Sequence, residues 1–531
     1  MDQRYLLILL SSLGALGAAQ AQTGYTRTHN RMFDEAHGLY EAEQWVEASK
    51  IYKRLLPVDT AFADVYYEMG MCEINIPGQR DKAGPHFEQA VRHGSNEARY
   101  QLALQRHRQQ RFDEEVALLK EYRTGKDRTA DDREVDRRIA MANSARTLTA
   151  APVPLRIRNM GNLINSSAHD YCPIVTADGN TMYLTSRREG TTGGFRDPGG
   201  QYFEDIYMAR RIDDVWSNAT NVGKPLNTYV QDATVGLSPD GNEMIVYRTS
   251  QDLVSGDLLL TKKVDGLWQT PERMTDRINS DAHEPSATIS PDGSEIYFTS
   301  DRAGGYGGRD LYRIRRLPNG EWSQPLNLGP TVNTPYDEDA PFIHSDGTTL
   351  FFSSNGHNTM GGYDIFKATL VDPDMNVWGK PENMGYPLNT VNDDIYFCLS
   401  EDGETGYFSS ERPGGLGGQD IYQVVFPNSQ IDYLLVRGVV TDANEEPVKA
   451  RITLTDAAGE EIVGVYNSNE RTGRYVMVVK PDDRLHMTVQ ATGFDEQKND
   501  VVAKRPTDGT REMRMDVQLV RNDRTAGAQN P

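Results

Sequence analysis

The sequence has little cysteine: Cys72, Cys172 and Cys398 are the only three among 531 residues. So few over such a length exclude a disulfide scaffold, and an odd count leaves at least one free thiol. Buried small hydrophobes are their expected use. Positive charge is also in deficit, with 56 Lys and Arg against 77 Asp and Glu and a formal net charge of −21. Nucleic acid and anionic lipid both require a basic surface, so neither is an expected partner. Long apolar runs are missing beyond the N-terminus, so no membrane span is expected. Catalytic signatures are missing as well. There is no G-x-S-x-G nucleophile elbow, and His283-Glu284 is followed by Pro285, which rules out an H-E-x-x-H zinc helix. Asp372-x-Asp374-x-Asn376 starts like a calcium loop, but Val377 stands where glycine is needed and the closing Glu is absent. No enzyme activity, cofactor or metal site is expected.

The one early apolar run is informative. Arg4, then Tyr5 to Ala19, then Ala19-Gln20-Ala21 form the n-region, h-region and small-x-small site of a secretory signal over residues 1–21. No Cys follows it, so a lipoprotein is not expected. The mature chain is expected to be soluble in an exported compartment.

What the chain has in quantity is repetition. Asp281 to Thr334 reads as four strands, with the turn Ser290-Pro291-Asp292-Gly293 between the first two and Gly304-Gly305-Tyr306-Gly307-Gly308 before the third. Asp-Gly between alternating β-branched and aromatic runs is a hairpin signal. It recurs at Asp178, Asp240, Asp292, Asp346 and Asp402, every 52 to 62 residues. A fourth-strand tryptophan recurs at Trp216, Trp268, Trp322 and Trp378, and a closing Asn at Asn165, Asn227, Asn279, Asn333 and Asn389. Four-stranded units at such a period signal a propeller. Five turns meet only four tryptophan strands, and the fifth unit stops at Val425-Phe426. Leu155 to Asn165 matches the missing tail, so residues 152–426 are expected to form a five-bladed ring closed by an early strand.

Residues 28–146 are helical by periodicity. Trp45-x-x-Ala48-x-x-x-Tyr52-x-x-Leu55 recurs as Arg80-x-x-Ala83-x-x-x-Phe87-x-x-Ala90 and, less well, as Phe112-x-x-Glu115-x-x-x-Leu119-x-x-Tyr122. The expectation is a helical solenoid, whose open face is either a groove for a partner or a surface packed on the propeller. Residues 432–521 carry short alternating strands that suggest a β-sandwich, and residues 522–531 a polar tail. The fold class is therefore multidomain, α plus all-β.

Five residues after each closing Asn lies an acid: Asp170, Asp232, Glu284, Glu338 and Asp394. One reading is a cation or cationic-ligand ring at a channel mouth. The other is a repeated structural bond, each acid capping a loop or pairing with an arginine such as Arg187, Arg302 or Arg412. The third-strand aspartates Asp205, Asp257, Asp310, Asp364 and Asp420 read as turn-bonding.

Three resemblances overlay this. SPDG-x-x-IYFTS-x-R and GG-x-GG-x-DIY resemble the TolB-type, WD40-like propeller repeat, although unit two has Ser255-Gly256-Asp257-Leu258 and unit one an insertion around Gly193 to Gly200. The helical motif resembles the tetratricopeptide repeat. Residues 432–521 are similar to the carboxypeptidase regulatory-like, transthyretin-like domain. Their order resembles the PorE-like periplasmic proteins of Bacteroidetes. That implies a non-enzymatic periplasmic scaffold or adaptor, associated with the outer membrane, whose partners are envelope proteins of type IX secretion or gliding. Such relatives end in an OmpA-like peptidoglycan-binding domain, and this chain stops after the sandwich. Proximity to peptidoglycan without that domain is the corresponding expectation. A glycan- or peptide-binding accessory of an outer-membrane transporter is the second reading, and a propeller lyase or hydrolase the third.

Overall fold

The computed structural model describes residues 25–522, apart from 77, 177, 198, 239–240, 373–374, 402, 429–433, 460–461, 471 and 505–511. The signal segment 1–21, Asp240 and Asp402 of two Asp-Gly turns, Asp374 and the tail from 523 lie outside the described residues. The chain divides into two compact units, Met1–Asn143 and Ser144–Pro531.

Seven helices come first: α1 (Arg27–Glu41), α2 (Trp45–Leu55), α3 (Ala63–Asn75), α4 (Ala83–Arg92), α5 (Asn96–Arg108), α6 (Phe112–Thr124) and α7 (Asp132–Ala150). From α1 to α6 each packs on the next. The later positions of the repeated motif are buried, Ala48, Tyr52 and Leu55 in α2, Ala83, Phe87 and Ala90 in α4, Leu119 and Tyr122 in α6, while Trp45 is half-buried and Arg80 exposed. Small residues let the helices approach, and the aromatic fills the space beside them. Gly70 shows how closely, because a Cβ there would sit 2.6 Å from the Phe87 ring. In the third copy Glu115 replaces the small residue and is wholly buried, held by His107 Nδ1 at 2.7 Å.

Five sheets follow. Sheet one comprises Asp170–Val175, Thr181–Ser186, Asp205–Ile212 and Val215–Trp216, and sheet two Asp232–Leu237, Glu243–Thr249, Gly256–Val264 and Leu267–Trp268. Sheet three comprises Ala287–Ile289, Glu295–Ser300, Asp310–Arg315 and Leu326–Asn327. Sheet four comprises Glu338–Ile343, Thr349–Ser354, Asp364–Asp372 and Val377–Trp378. Sheet five comprises Asp394–Leu399, Thr405–Ser410 and Asp420–Val425, and its outer strand is Arg156–Asn159, antiparallel with Arg156 opposite Val425. The first strands of successive sheets are neighbours, and that of sheet five also neighbours that of sheet one. Large apolar side chains fill the space between sheets, among them Phe298, Phe351, Phe352, Phe366 and Phe408.

The sequence pattern has the fourth strand of unit three run from Glu321-Trp322 past Pro325 to near Leu328-Gly329, and the structure differs. The strand is not continuous past the tryptophan. In sheet four Val377–Trp378 and Glu382–Asn383 pair separately with the third strand, on either side of Pro381. Proline has no N–H to give the ladder, which suits the break there, although sheet one breaks in the same way across Ser217-Asn218-Ala219 without a proline. The closing asparagines explain how the broken edge is held. Asn227, Asn279, Asn333 and Asn389 each bond both the N–H and the carbonyl of one third-strand residue, Ile206, Leu258, Leu311 and Ile365. Asn165 does the same to Ile421 across the closure.

The C-terminal region has two further sheets over one apolar core. Leu434–Asp442 pairs antiparallel with Arg474–Val479 and parallel with Glu512–Arg514 and Val517–Leu519. Ile462–Asn467, Arg451–Thr455, Arg484–Gln490 and Gln497–Val502 form the second sheet. Alternation in Arg484–Gln490 places Leu485, Met487 and Val489 in the core.

Candidate functional site

The five sequence-predicted acids stand at or just before the first residue of each inner strand, all but fully buried. They do not gather. Among the described residues, no three His, Cys, Asp or Glu side chains come together as a metal-holding group. Each acid instead closes its own loop. Asp232 accepts from Thr228 N at 2.6 Å and Thr228 Oγ1 at 2.7 Å, and Asp394 from Thr390 N at 2.6 Å and Oγ1 at 2.8 Å. Asp170 and Glu284 hold Ser166 and Ser280 in the same way.

An arginine then ties acid to loop. Arg302 Nη2 reaches Glu284 at 3.2 Å and the carbonyl of Ile278 at 2.7 Å, and Arg412 Nη2 reaches Asp394 and Leu388 O, both at 2.7 Å. Arg248 serves Asp232. For Asp170 the partner is Arg188. Arg187, expected in that role, instead bonds Asp197 and the Tyr202 carbonyl. Its position one residue earlier sends its side chain to the loop of the sheet-one insertion.

Glu338 is the exception. It holds Thr334 N at 2.8 Å, Thr334 Oγ1 at 2.7 Å and Ser354 Oγ at 2.7 Å. Gly356 occupies the arginine's place, and a Cβ there would lie 2.1 Å from Thr334 Oγ1. His357 Nε2 donates to Val332 O at 2.8 Å, taking over the loop half of the arginine's work. Burial pushes the Glu338 carboxyl up to about 7. Four of the five third-strand aspartates, Asp205, Asp310, Asp364 and Asp420, are turn bonds, whereas Asp257 pairs with Arg273 Nε at 3.0 Å. Asp310 accepts from Tyr306 N at 2.6 Å, Gly307 N at 3.1 Å and Asn327 Nδ2 at 2.7 Å. Burial likewise drives Asp364 up to about 8. Asp372, from the calcium-like string, accepts from Met375 N at 3.0 Å, as in an ordinary polar turn.

Four inner strands bulge past the acid, and in three of them Cys172, Ala340 and Tyr396 stand at φ of 50°, 51° and 59°. Bulges re-aim side chains, and non-glycine residues there mark constrained ground. Tyr396 stacks on Tyr171 at 5.8 Å between ring centroids. Burial, then the Glu204 carboxylate, raises the Tyr171 phenol well above its ordinary value. Asp339, next to Glu338, is buried and bonds Arg309 Nη1 at 2.5 Å, while Arg309 Nη2 donates to Tyr363 Oη at 3.0 Å. Cys172 Sγ donates to Thr234 O at 3.0 Å and Thr234 Oγ1 returns a bond to Cys172 O at 2.7 Å, stitching sheets one and two. Sequence spacing missed these residues because they change identity from unit to unit. The acid's next neighbour is Tyr171, Ala233, Pro285, Asp339 or Ile395.

No family model matches this chain, and no curated protein does. Solved structures do share local likeness. The type III secretion chaperone SycD of Yersinia enterocolitica, in complex with a peptide of YopD, is 16% identical over 24% of this chain and 97% of its own, with a TM-score of 0.21. A TolB protein of Agrobacterium tumefaciens is 16% identical over 61% of this chain and 97% of its own, with a TM-score of 0.30. A glycoside hydrolase is 10% identical over 54% and 97%, with a TM-score of 0.36. Each of these likenesses has a TM-score below 0.5 and carries no argument.

Proposed function

We propose that this chain is a non-enzymatic adaptor of the bacterial envelope, working by protein contact. In this reading the five sheets are the blades of a TolB/WD40-like propeller and the last two sheets a carboxypeptidase regulatory-like sandwich. The helices offer a groove to a partner. The protein is exported by its signal segment to the periplasm and serves an outer-membrane secretion or gliding assembly of the type IX kind. One observation carries the reading: the acids that recur in every unit are occupied by loop N–H groups and hydroxyls, and four of the five by an arginine as well, so the repeat spends its charge on scaffold. The test is affinity capture from crosslinked envelopes with the full chain and with a chain lacking residues 28–146. The deletion is expected to release the partner. Undiminished capture by the shortened chain would refute the helical-groove assignment.

A further inference from the structure

The seam between sheets five and one departs from the repeat in three ways, and all three face one cleft. First, the residue before the acid has the same duty in units four and five. Asp337 and Asp393 accept the backbone N–H of Arg309 and Tyr363, at 2.9 and 2.8 Å, from the preceding sheet. At the seam His169 does this through Nδ1, which accepts from Gln419 N at 3.1 Å. Burial and the Arg187 cation push the His169 pKa down, so the ring is neutral and its one proton sits on Nε2.

Second, the last residue of the second-strand turn is an acceptor in three units. Thr249, Asp301 and Asn355 receive the N–H of Gln231, His283 and Asp337. In sheet one that place is taken by Arg187, a buried guanidinium that blade construction does not call for.

Third, the insertion of unit one folds into a tight hairpin. Arg196 bridges Tyr202, and Asp197 accepts from Gln201 N at 3.0 Å. Arg196 is exposed but held in place. Its Nη1 donates to Gly200 O at 2.6 Å, and its guanidinium lies 3.7 Å above the Tyr202 ring.

Between these parts lies a cleft of about 260 Å³, lined by His169, Arg187, Arg196, Gln201, Tyr202 and Gly418 among others. Gly418 is what lets the histidine sit there, since a Cβ would lie 2.3 Å from the His169 ring. The lining holds two guanidiniums and an imidazole N–H and no carboxylate. Arg187 is already ion-paired with Asp197, so Arg196 is the guanidinium that the cleft offers a ligand. The volume is below that of a drug-sized pocket. We propose that this cleft binds a carboxylate on a compact polar body, the size of one acidic sugar or one terminal amino-acid residue. Arg196 presents the planar donor fork that suits a carboxylate, and His169 Nε2–H adds a directional donor.

The test is calorimetric titration of the full chain with glucuronate and with N-acetylalanine, each against its uncharged amide. The acids are expected to bind at least tenfold more tightly than the amides. Binding by glucuronate alone identifies a sugar acid and by N-acetylalanine alone a chain end; either supports the site. Arg196→Gln and His169→Asn should each weaken binding at least tenfold without shifting the melting transition. The first is exposed, and Asn at 169 keeps an acceptor for Gln419 N as Asp337 and Asp393 do for their own partners. No binding at millimolar ligand, equal binding of acid and amide, or indifference to both substitutions overturns the proposal.

Discussion

The helices and the five sheets are both built by repetition, and they repeat opposite things. In α2 and α4 the recurring buried residues are apolar, Ala48 with Tyr52 and Ala83 with Phe87. In the sheets the most regular buried residues are polar: an Asn bonding a strand from the side, and an acid between a hydroxyl and an arginine. An apolar contact tolerates approximate geometry. A buried charge must find all its partners, because leaving one unsatisfied costs far more than the bond itself contributes. The polar repeat is therefore the more exacting, and single losses in it should be felt differently from losses in the helices.

The largest test removes the closure. Deleting residues 152–166 strips sheet five of its outer strand and of Asn165. Calorimetry should then show that the sheets no longer unfold cooperatively while the helical transition survives; an unchanged melting profile would sink the closure account. Next in size is Phe87→Ala, which empties the space beside Gly70 and should cost about 3–5 kcal/mol by chemical denaturation, confined to the helical transition.

A paired substitution sharpens the contrast within the sheets. Glu284→Gln takes the charge from beside Arg302 and should cost about 1–3 kcal/mol at neutral pH. Glu338→Gln should behave in the other direction. With no arginine at hand, Glu338 is raised from 4.5 to about 7 in the folded state. Its stabilising effect is complete below the unfolded value and declines, at about 1.4 kcal/mol per pH unit, as pH rises toward 7. Glutamine removes that slope, so the variant should gain on the parent between pH 5 and 8 in urea titrations. A steeper loss with pH in the variant would count against it. Asp364, raised to about 8, continues the decline in both proteins. The smallest effect concerns the thiols. Cys72, Cys172 and Cys398 are buried and unpaired, with burial raising each to about 12. Thiol counting should find three after denaturation and almost none reacting in the native state at pH 8; one free thiol on denaturation would indicate a bridge.

Much of this was legible because it recurs. The Asp-Gly turns, the closing asparagines and the half-repeat at Leu155 located the sheets and the strand that completes the fifth. The acids were located too, but spacing alone left both readings open. What separates ligand from scaffold is whether hydroxyls such as Thr228 and arginines such as Arg248 come to hand in space. Arg187 shows the limit well. One place away from Arg188, it reads in the sequence as a partner for the acid. The C-terminal strands Glu512–Arg514 and Val517–Leu519, paired parallel to Leu434–Asp442, were not foreseen. Parallel partners far apart in sequence leave no turn signal to read. The seam cleft was illegible for the converse reason, since it is made of departures from the repeat.

The outer strand of sheet five also sets a timetable. Asn159 bonds Asp420 from 261 residues away. During synthesis Arg156–Asn159 is finished first and must wait, unpaired, for the last strand before it has anything to hold. Contacts of such long range make folding slow, because the loop must close before it is rewarded. Until then the partial chain carries open sheet edges, which favour aggregation. A chain cut short before Asp420 lacks the partner of Arg156–Asn159, so pairing of that strand reports that this whole stretch of the polypeptide has arrived.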